Sequence, residues 1–195
     1  MDKKALFIGP SKQALQGFDY NIINDYDYVA RTNKFPECGL TGLEGRCDLL
    51  FINSHCARYY SRRPHKLNNY KVFVKGNNDK DSLLSKISTL NITSVQELFQ
   101  LLCTKYFKPH HPYYGTVIID YLSRVCQSVD VCGIDFYTFG FSKKENYLEN
   151  YYDLEDLKQE EPIHSIKKDI EYTKMLLESR GNIKLLHKTK ESLRK

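Results

Sequence analysis

Three features of the sequence predict an α/β fold with a mainly parallel, twisted sheet and helices on both faces. Short, largely apolar runs of strand length recur at residues 5–8 (ALFI), 49–52 (LLFI), 71–74 (KVFV) and 129–134 (VDVCGI). Such runs suit parallel strands buried beneath helices on both sides. Helix-length stretches separate several of them, as right-handed crossovers require. The runs also end in glycine or asparagine followed by a turn, which places polar residues at the C-terminal edge, where open α/β sheets bind ligands. With 195 residues, the chain can bury one substantial core and is too short for two full-sized domains.

The opening MDKKALFIGPS reads as a strand, then a Gly9-Pro10-Ser11 turn, then a weak helix in KQALQGF. This geometry points backbone N–H groups at a phosphate. Taken alone such a turn is more often only a turn, and the G-x-G-x-x-G fingerprint is absent. A second strand ends at Thr32-Asn33 and a third at Asn53-Ser54, so two asparagines, able to donate and to accept, arrive at one edge. Each is equally suited to cap a following helix. KVFVKG, 71–76, forms another strand, and 77–91 a polar connection or partial helix. VQELFQLLCTKYF is an amphipathic helix with Val95, Leu98, Leu101 and Leu102 on one face. A proline-bounded loop, KPHHPYYG, then leads through Gly115 into a helix that buries Val117, Ile118, Tyr121, Leu122 and Val125.

The rest of the chain is organised around VDVCGIDFY, 129–137. Gly133 permits a close approach to the backbone, and Asp135, Phe136 and Tyr137 follow at the exposed strand end. Residues 138–163 are polar and tyrosine-rich with little periodicity. HSIKKDIEYTKMLLES then opens a helix with His164 at its threshold and Ser165 as N-cap, and NIKLL is strand-like. A strand end, a long flap and a returning histidine describe a closable active site. A lone histidine at a helix start is usually a cap or a surface residue. An unperturbed one titrates near 6.5, however, which suits His164 to accept a hydroxyl proton near neutrality.

GIDFY, the long flap, His164-Ser165 and Asp169-Ile170 in the helix leading to NIKLL resemble the C-terminal half of the bacterial sialyltransferases of glycosyltransferase family 42. Arg31-Thr32-Asn33 matches the Arg-x-Asn ending that family's second strand, and Asn53 matches its asparagine after the third. The resemblance implies a single Rossmann-like domain, a GT-A-type variant, over 1–195, with a flexible lid at 138–163 and a basic tail at 187–195. It also implies metal-independent, inverting transfer of sialic acid from CMP-sialic acid to a sugar hydroxyl of a galactoside or another sialic acid. His164 is then the general base, and Tyr137 donates to the departing phosphate. Gly9, Pro10, Ser11, Asn33, Asn53, Tyr114, Gly115, Gly133, Ile134, Asp135 and Phe136 bind the donor. A second phosphate-binding residue falls within the flap, at Lys143 by gap-free count or at Tyr147.

The sequence also departs from that family. Phe7 and Ile8 stand where it has an asparagine and a glycine, and His111, Tyr113 and Tyr114 stand where it has an arginine and a Thr-Ser pair that help hold sialic acid. These departures leave two alternatives: a protein of this fold that binds nucleotide or glycan without turnover, and a transferase using another nucleotide sugar.

Other signals are set aside. Asp25-Tyr26-Asp27 is a D-x-D, the metal-holding motif of many glycosyltransferases, but it precedes a strand, where a charged turn is the commoner role. His110-His111, even with His55, lacks a carboxylate at ligand spacing, so no metal and no cofactor are expected. Six cysteines form no C-x-x-C pair, and Cys126 and Cys132 sit in apolar surroundings that suit reduced thiols. The net charge of +5 is interspersed, which argues against a nucleic-acid partner. The acidic run LEDLKQEE reads as a solvated face of the flap. Four apolar residues near the start are too few for a signal peptide, so a cytoplasmic protein is expected, with a tail that can fray, solubilise the terminus or touch the inner face of a membrane. The expected partners are a nucleotide-sugar donor and a glycan acceptor, and a homo-oligomer stays open.

Overall fold

The computed structural model describes residues 2–84, 91–136, 147, 148, 164–186 and 189. Seven strands, β1 (Lys4–Ile8), β2 (Tyr28–Thr32), β3 (Leu49–Ile52), β4 (Lys71–Val74), β5 (Ile92–Ser94), β6 (Ser128–Cys132) and β7 (Ile183–Leu185), form one sheet in the order β5-β4-β3-β2-β1-β6-β7. Every neighbouring pair is parallel. The helices are α1 (Lys12–Leu15), α2 (Ser54–Ser61), α3 (Asn77–Leu84), α4 (Gln96–Leu102), α5 (Tyr114–Val125) and α6 (Ile166–Arg180).

Because side chains alternate along a strand, each strand feeds two cores. Phe7, Phe51, Phe73, Val129 and Val131 meet α4, α5 and α6, with Phe51 and Phe73 stacked at 4.5 Å beside Tyr121. On the other face Leu50, Ile52, Val72 and Val74 meet α2 and α3, and Leu6, Ile8 and Val29 meet α1 and Ile23. Each such side chain removed from water contributes about 1.5–3 kcal/mol.

The chain winds outward from β1 to β5 and then returns to place β6 on the other side of β1. The crevice at the C-terminal ends of β1 and β6 is therefore the topological switch point.

The partial helix expected at 77–91 is present, one strand was not anticipated, and one local expectation needs correction. The connection at 77–91 contains α3 and is followed by β5, a strand of only three residues, ITS, too short to show a period. Leu101 is 44% exposed, while Phe99 packs against the core. At about 100° per residue Leu101 stands off the stripe that Leu98, Phe99 and Leu102 share, so the regular helix α4 itself turns it to solvent, and a π-helical turn at Cys103–Phe107 follows. In α5, Val117, Ile118 and Leu122 are buried as anticipated while Tyr121 and Val125 are half-buried; Ile119 and Asp120 are buried as well, and Asp120 is held by Arg124, Arg180 and the Tyr172 hydroxyl. All six cysteines are free thiols. No described helix is long and apolar enough to cross a membrane.

Candidate active site

At the switch point β1 and β6 touch through two glycines. Gly9 donates its N–H to the Cys132 carbonyl at 2.8 Å, and Ser11 donates to the Gly133 carbonyl at 2.9 Å. A Cβ on either glycine would lie 2.4 Å from the other's carbonyl oxygen, and Gly133 has φ 69°. The close approach expected at Gly133 is thus made by Gly9, not by a ligand. The Gly-Pro-Ser turn accordingly offers a phosphate fewer amides than its sequence suggests. Gly9 and Ser11 are already bonded, Pro10 has none, and the Ser11 hydroxyl accepts from Ala14 N–H as the cap of α1. Pro10, Ser11 and Gly133, Ile134, Asp135 and Phe136 line a cleft on this edge, whereas Gly9 does not. Phe136 adopts left-handed backbone, φ 48°, and the Ile134 N–H donates to Thr189. Tyr147, buried, also lines the cleft and pairs in antiparallel fashion with Ser11, while Leu148 N–H donates to the Pro10 carbonyl.

The two asparagines meet beside this seam. Asn33, at φ 49°, accepts the Asn53 N–H on its Oδ1 at 3.0 Å. Asn53 Oδ1 in turn accepts from Cys56 N–H at 2.9 Å, so Asn53 is the N-cap of α2 and a cleft residue at once. With both carbonyl oxygens engaged, each side chain brings an amide NH2 donor to a ligand, a match for phosphate or hydroxyl oxygens. Arg31, between these strands, has a structural place: it is buried, donates to the Glu44 carbonyl at 2.7 Å and lies over the Phe35 ring.

The opposite wall is the loop before α5, gripped by the start of α6. Lys168 donates to the carbonyls of Phe107 and Lys108, and the Asp169 carboxyl accepts the Tyr113 N–H at 3.0 Å. His164 pairs with His111, its Nδ1 3.0 Å from the His111 carbonyl, and the Tyr113 ring stacks on the imidazole at 4.3 Å. A carbonyl only accepts, so Nδ1 carries the proton and Nε2 keeps its lone pair. Burial, with lesser contributions from Lys75, His111 and His110, lowers the His164 pKa to about 4. The imidazole is therefore neutral at pH 7, and the expectation of titration near 6.5 is corrected by desolvation. Burial likewise raises Asp169 to about 7, and among the described residues its Oδ2 has no hydrogen-bond partner. Tyr114 lines the cleft with its hydroxyl 3.5 Å from the Phe73 carbonyl, and burial pushes its pKa well above 10. Gly115 also lines the cleft, where an added Cβ would meet only Ile134 at ordinary contact distance.

Tyr137 and Lys143 lie outside the described residues, as does most of the flap. The cleft also contains Thr32, Ser54, His55, Lys75 and Phe99, none of which was singled out as a donor ligand from sequence. Lys75 carried the same signal as the asparagines, a polar residue at a strand end. The D-x-D sits elsewhere. Asp27 pairs with Lys3 at 2.8 Å and accepts the Lys4 N–H, at the starts of β1 and β2. At about 3.3 Å per residue, that is roughly 20 Å from Asn33. Among the described residues no three His, Cys, Asp or Glu side chains are grouped to hold a metal.

Neither a protein-family profile nor a curated protein sequence matches the chain. Solved structures do. The sialyltransferase CstII from Campylobacter jejuni in complex with cytidine-5'-monophosphate is similar over 95% of this chain and 80% of its own, at TM-score 0.65 and 18% identity. The monofunctional α-2,3-sialyltransferase Cst-I from the same organism is similar over 95% and 76%, at 0.64 and 16%. A mammalian sialyltransferase in complex with Gal-beta-1-3GalNAc-ortho-nitrophenol is similar over 95% and 70%, at 0.62 and 13%. At these identities the likeness establishes a shared α/β fold.

Proposed function

We propose that this chain is a sialyltransferase that moves sialic acid from CMP-sialic acid to a glycan hydroxyl, with inversion and without a metal. The observation that carries this reading is His164, a neutral imidazole whose Nδ1–H is fixed by the His111 carbonyl and whose Nε2 is available in a switch-point cleft. Support comes from the fold, shared with sialyltransferases solved with CMP, with Gal-beta-1-3GalNAc-ortho-nitrophenol and with a trisaccharide acceptor. The nucleotide lies between the Pro10-Ser11, Asn33 and Asn53 side and the 133–136 turn. As the acceptor oxygen attacks the anomeric carbon, His164 Nε2 takes its proton, the carbon–oxygen bond to phosphate breaks, and CMP leaves with the electron pair. Tyr137 donates to the phosphate as its charge grows. Tyr147, already in the cleft against Ser11, is favoured over Lys143 as its helper. Attack opposite the leaving group inverts the centre.

The test combines ligand selectivity with a pH series. CMP should raise thermal stability more than UMP, UDP or GDP, by about 2.7 kcal/mol at a hundred times its dissociation constant. His164→Ala should keep CMP affinity and lower turnover about 10²- to 10⁴-fold. Because the base works unprotonated, kcat/KM of the wild type should hold through pH 6.5 and fall only toward about 4, the pKa that burial imposes. Equal background CMP release from wild type and His164→Ala would replace this reading with that of a nucleotide-binding protein.

A further inference from the structure

The cleft has one lysine and no arginine among its described lining residues, and that lysine, Lys75, has no part in the mechanism above. Lys75 directly follows β4, the third strand out from β1. At about 4.8 Å per strand it leaves the sheet roughly 14 Å from the switch point. Its ammonium lies 3.8 Å from the centroid of the Phe99 ring on α4, a cation–π contact that holds the charge in place. Phe99 also meets the edge of His111 at 5.8 Å, and the His111 carbonyl fixes His164. Lys75 therefore belongs to the wall that carries the base, on the far side of the cleft from the Gly-Pro-Ser turn.

A cation there works against the base. It disfavours imidazolium at His164 and at His111, adding to the larger effect of burial on both. An anion bound beside it would remove that handicap at the moment the proton is taken, and the phosphate side of the cleft is too distant to supply one.

We propose that Lys75, placed by Phe99, receives the carboxylate of a sialic acid in the cleft and so selects an acidic sugar over a neutral one. This rests on the sialyltransferase reading. The carboxylate has two sources, the donor's own sugar and an acceptor that ends in sialic acid, and the same chemistry would hold either.

The experiment compares wild type, Lys75→Met and Lys75→Arg with CMP, CMP-sialic acid, a lactose-type acceptor and a sialylated acceptor. CMP affinity should be nearly equal in all three proteins, which also reports that each is folded. In Lys75→Met the KM of the carboxylate-bearing substrate should rise about 10- to 100-fold, as for loss of a charge-assisted hydrogen bond, with Lys75→Arg in between. A rise in donor KM with the lactose-type acceptor assigns the donor's carboxylate. A rise confined to the sialylated acceptor assigns the acceptor's. His164 is faced by Lys75, His110 and His111 and stacked on Tyr113, so removing the lysine charge should also move the acid limb of kcat/KM upward in Lys75→Met. The proposal is overturned if CMP affinity falls in step with the KM change, or if wild type turns over while Lys75→Met changes neither KM. Failure of the parent reading is distinct: wild type itself then shows no CMP-selective binding and no transfer, and the proposal falls with it.

Discussion

The two walls of the cleft are built by different means. The wall along β1, β2, β3 and β6 is mostly backbone: two glycines in contact, strand-end amides paired with carbonyls, and two asparagines locked to the main chain and to each other. The wall formed by residues 107–113 and the start of α6 is mostly side chain: a lysine on two carbonyls, a buried carboxyl on one N–H, and a tyrosine stacked on a histidine. The first wall has no slack for added atoms where Gly9 and Gly133 meet. The second holds two groups displaced by burial in opposite senses, His164 down and Asp169 up. Shape is thus set on one side and protonation on the other.

The largest effect that sharpens this contrast is a single methyl group. Gly133→Ala must place a Cβ 2.4 Å from the Gly9 carbonyl while holding φ 69°, and Gly9→Ala meets the Gly133 carbonyl at the same distance. Each should destabilise the fold by about 3 kcal/mol or more and abolish CMP binding, because the backbone itself must part. Gly115→Ala, in the first turn of α5 at the other wall, should instead stabilise by about 0.5–1 kcal/mol. Urea unfolding of the three variants checks both signs. A tolerated Gly133→Ala would show that the seam can open.

The same division explains what the sequence could disclose. Backbone geometry at strand ends leaves a local signature, so Gly9, Asn33, Asn53 and Gly133 could be placed at one edge from apolar runs alone, and Ser165 could be named as a cap before its bond to Lys168 N–H was seen. The other wall joins residues more than fifty positions apart, and no local period records that His111 would hold His164 or that Asp169 would hold Tyr113. The depressed His164 pKa was invisible for the same reason, since burial is a property of the assembled core. Strand β5 has no signature because three residues cannot display alternation, and Leu101, one residue before the buried Leu102, falls off the apolar stripe of α4 at the regular helical period.

A smaller effect separates the walls by pH. Asp169 is raised above its unfolded value, to about 7, so its ionisation opposes folding. Its contribution to stability is fully present below the unfolded pKa of about 3.9 and is lost as pH rises through 7. His164 has the opposite sign, losing stability as pH falls from 6.5 through about 4. Asp169→Asn keeps an oxygen for the Tyr113 N–H and removes the titration. Relative to wild type it should therefore gain about 2 kcal/mol between pH 5 and pH 8. Parallel stability-pH curves for the two proteins would mean that the carboxyl is not buried as described.

The smallest effect is expected at the far edge of the sheet, where the D-x-D lies. Asp25 and Asp27 are exposed, and Asp27 is held below the usual carboxylate range first by its hydrogen bond to Lys3 and then by the Lys4 N–H. These contacts fix the starts of β1 and β2, while both walls of the cleft stand at the strands' C-terminal ends. A metal held by this motif would be a whole strand length from the breaking bond, too far to stabilise charge on a leaving phosphate. Asp25→Asn and Asp27→Asn should accordingly leave turnover within a small factor of wild type, and excess chelator should leave CMP release intact. Initial rates with and without chelator, then with added manganese, decide the matter. Complete loss in chelator, restored by manganese and abolished by either substitution, would move the chemistry to the wrong end of the sheet and dismiss both walls as the active site.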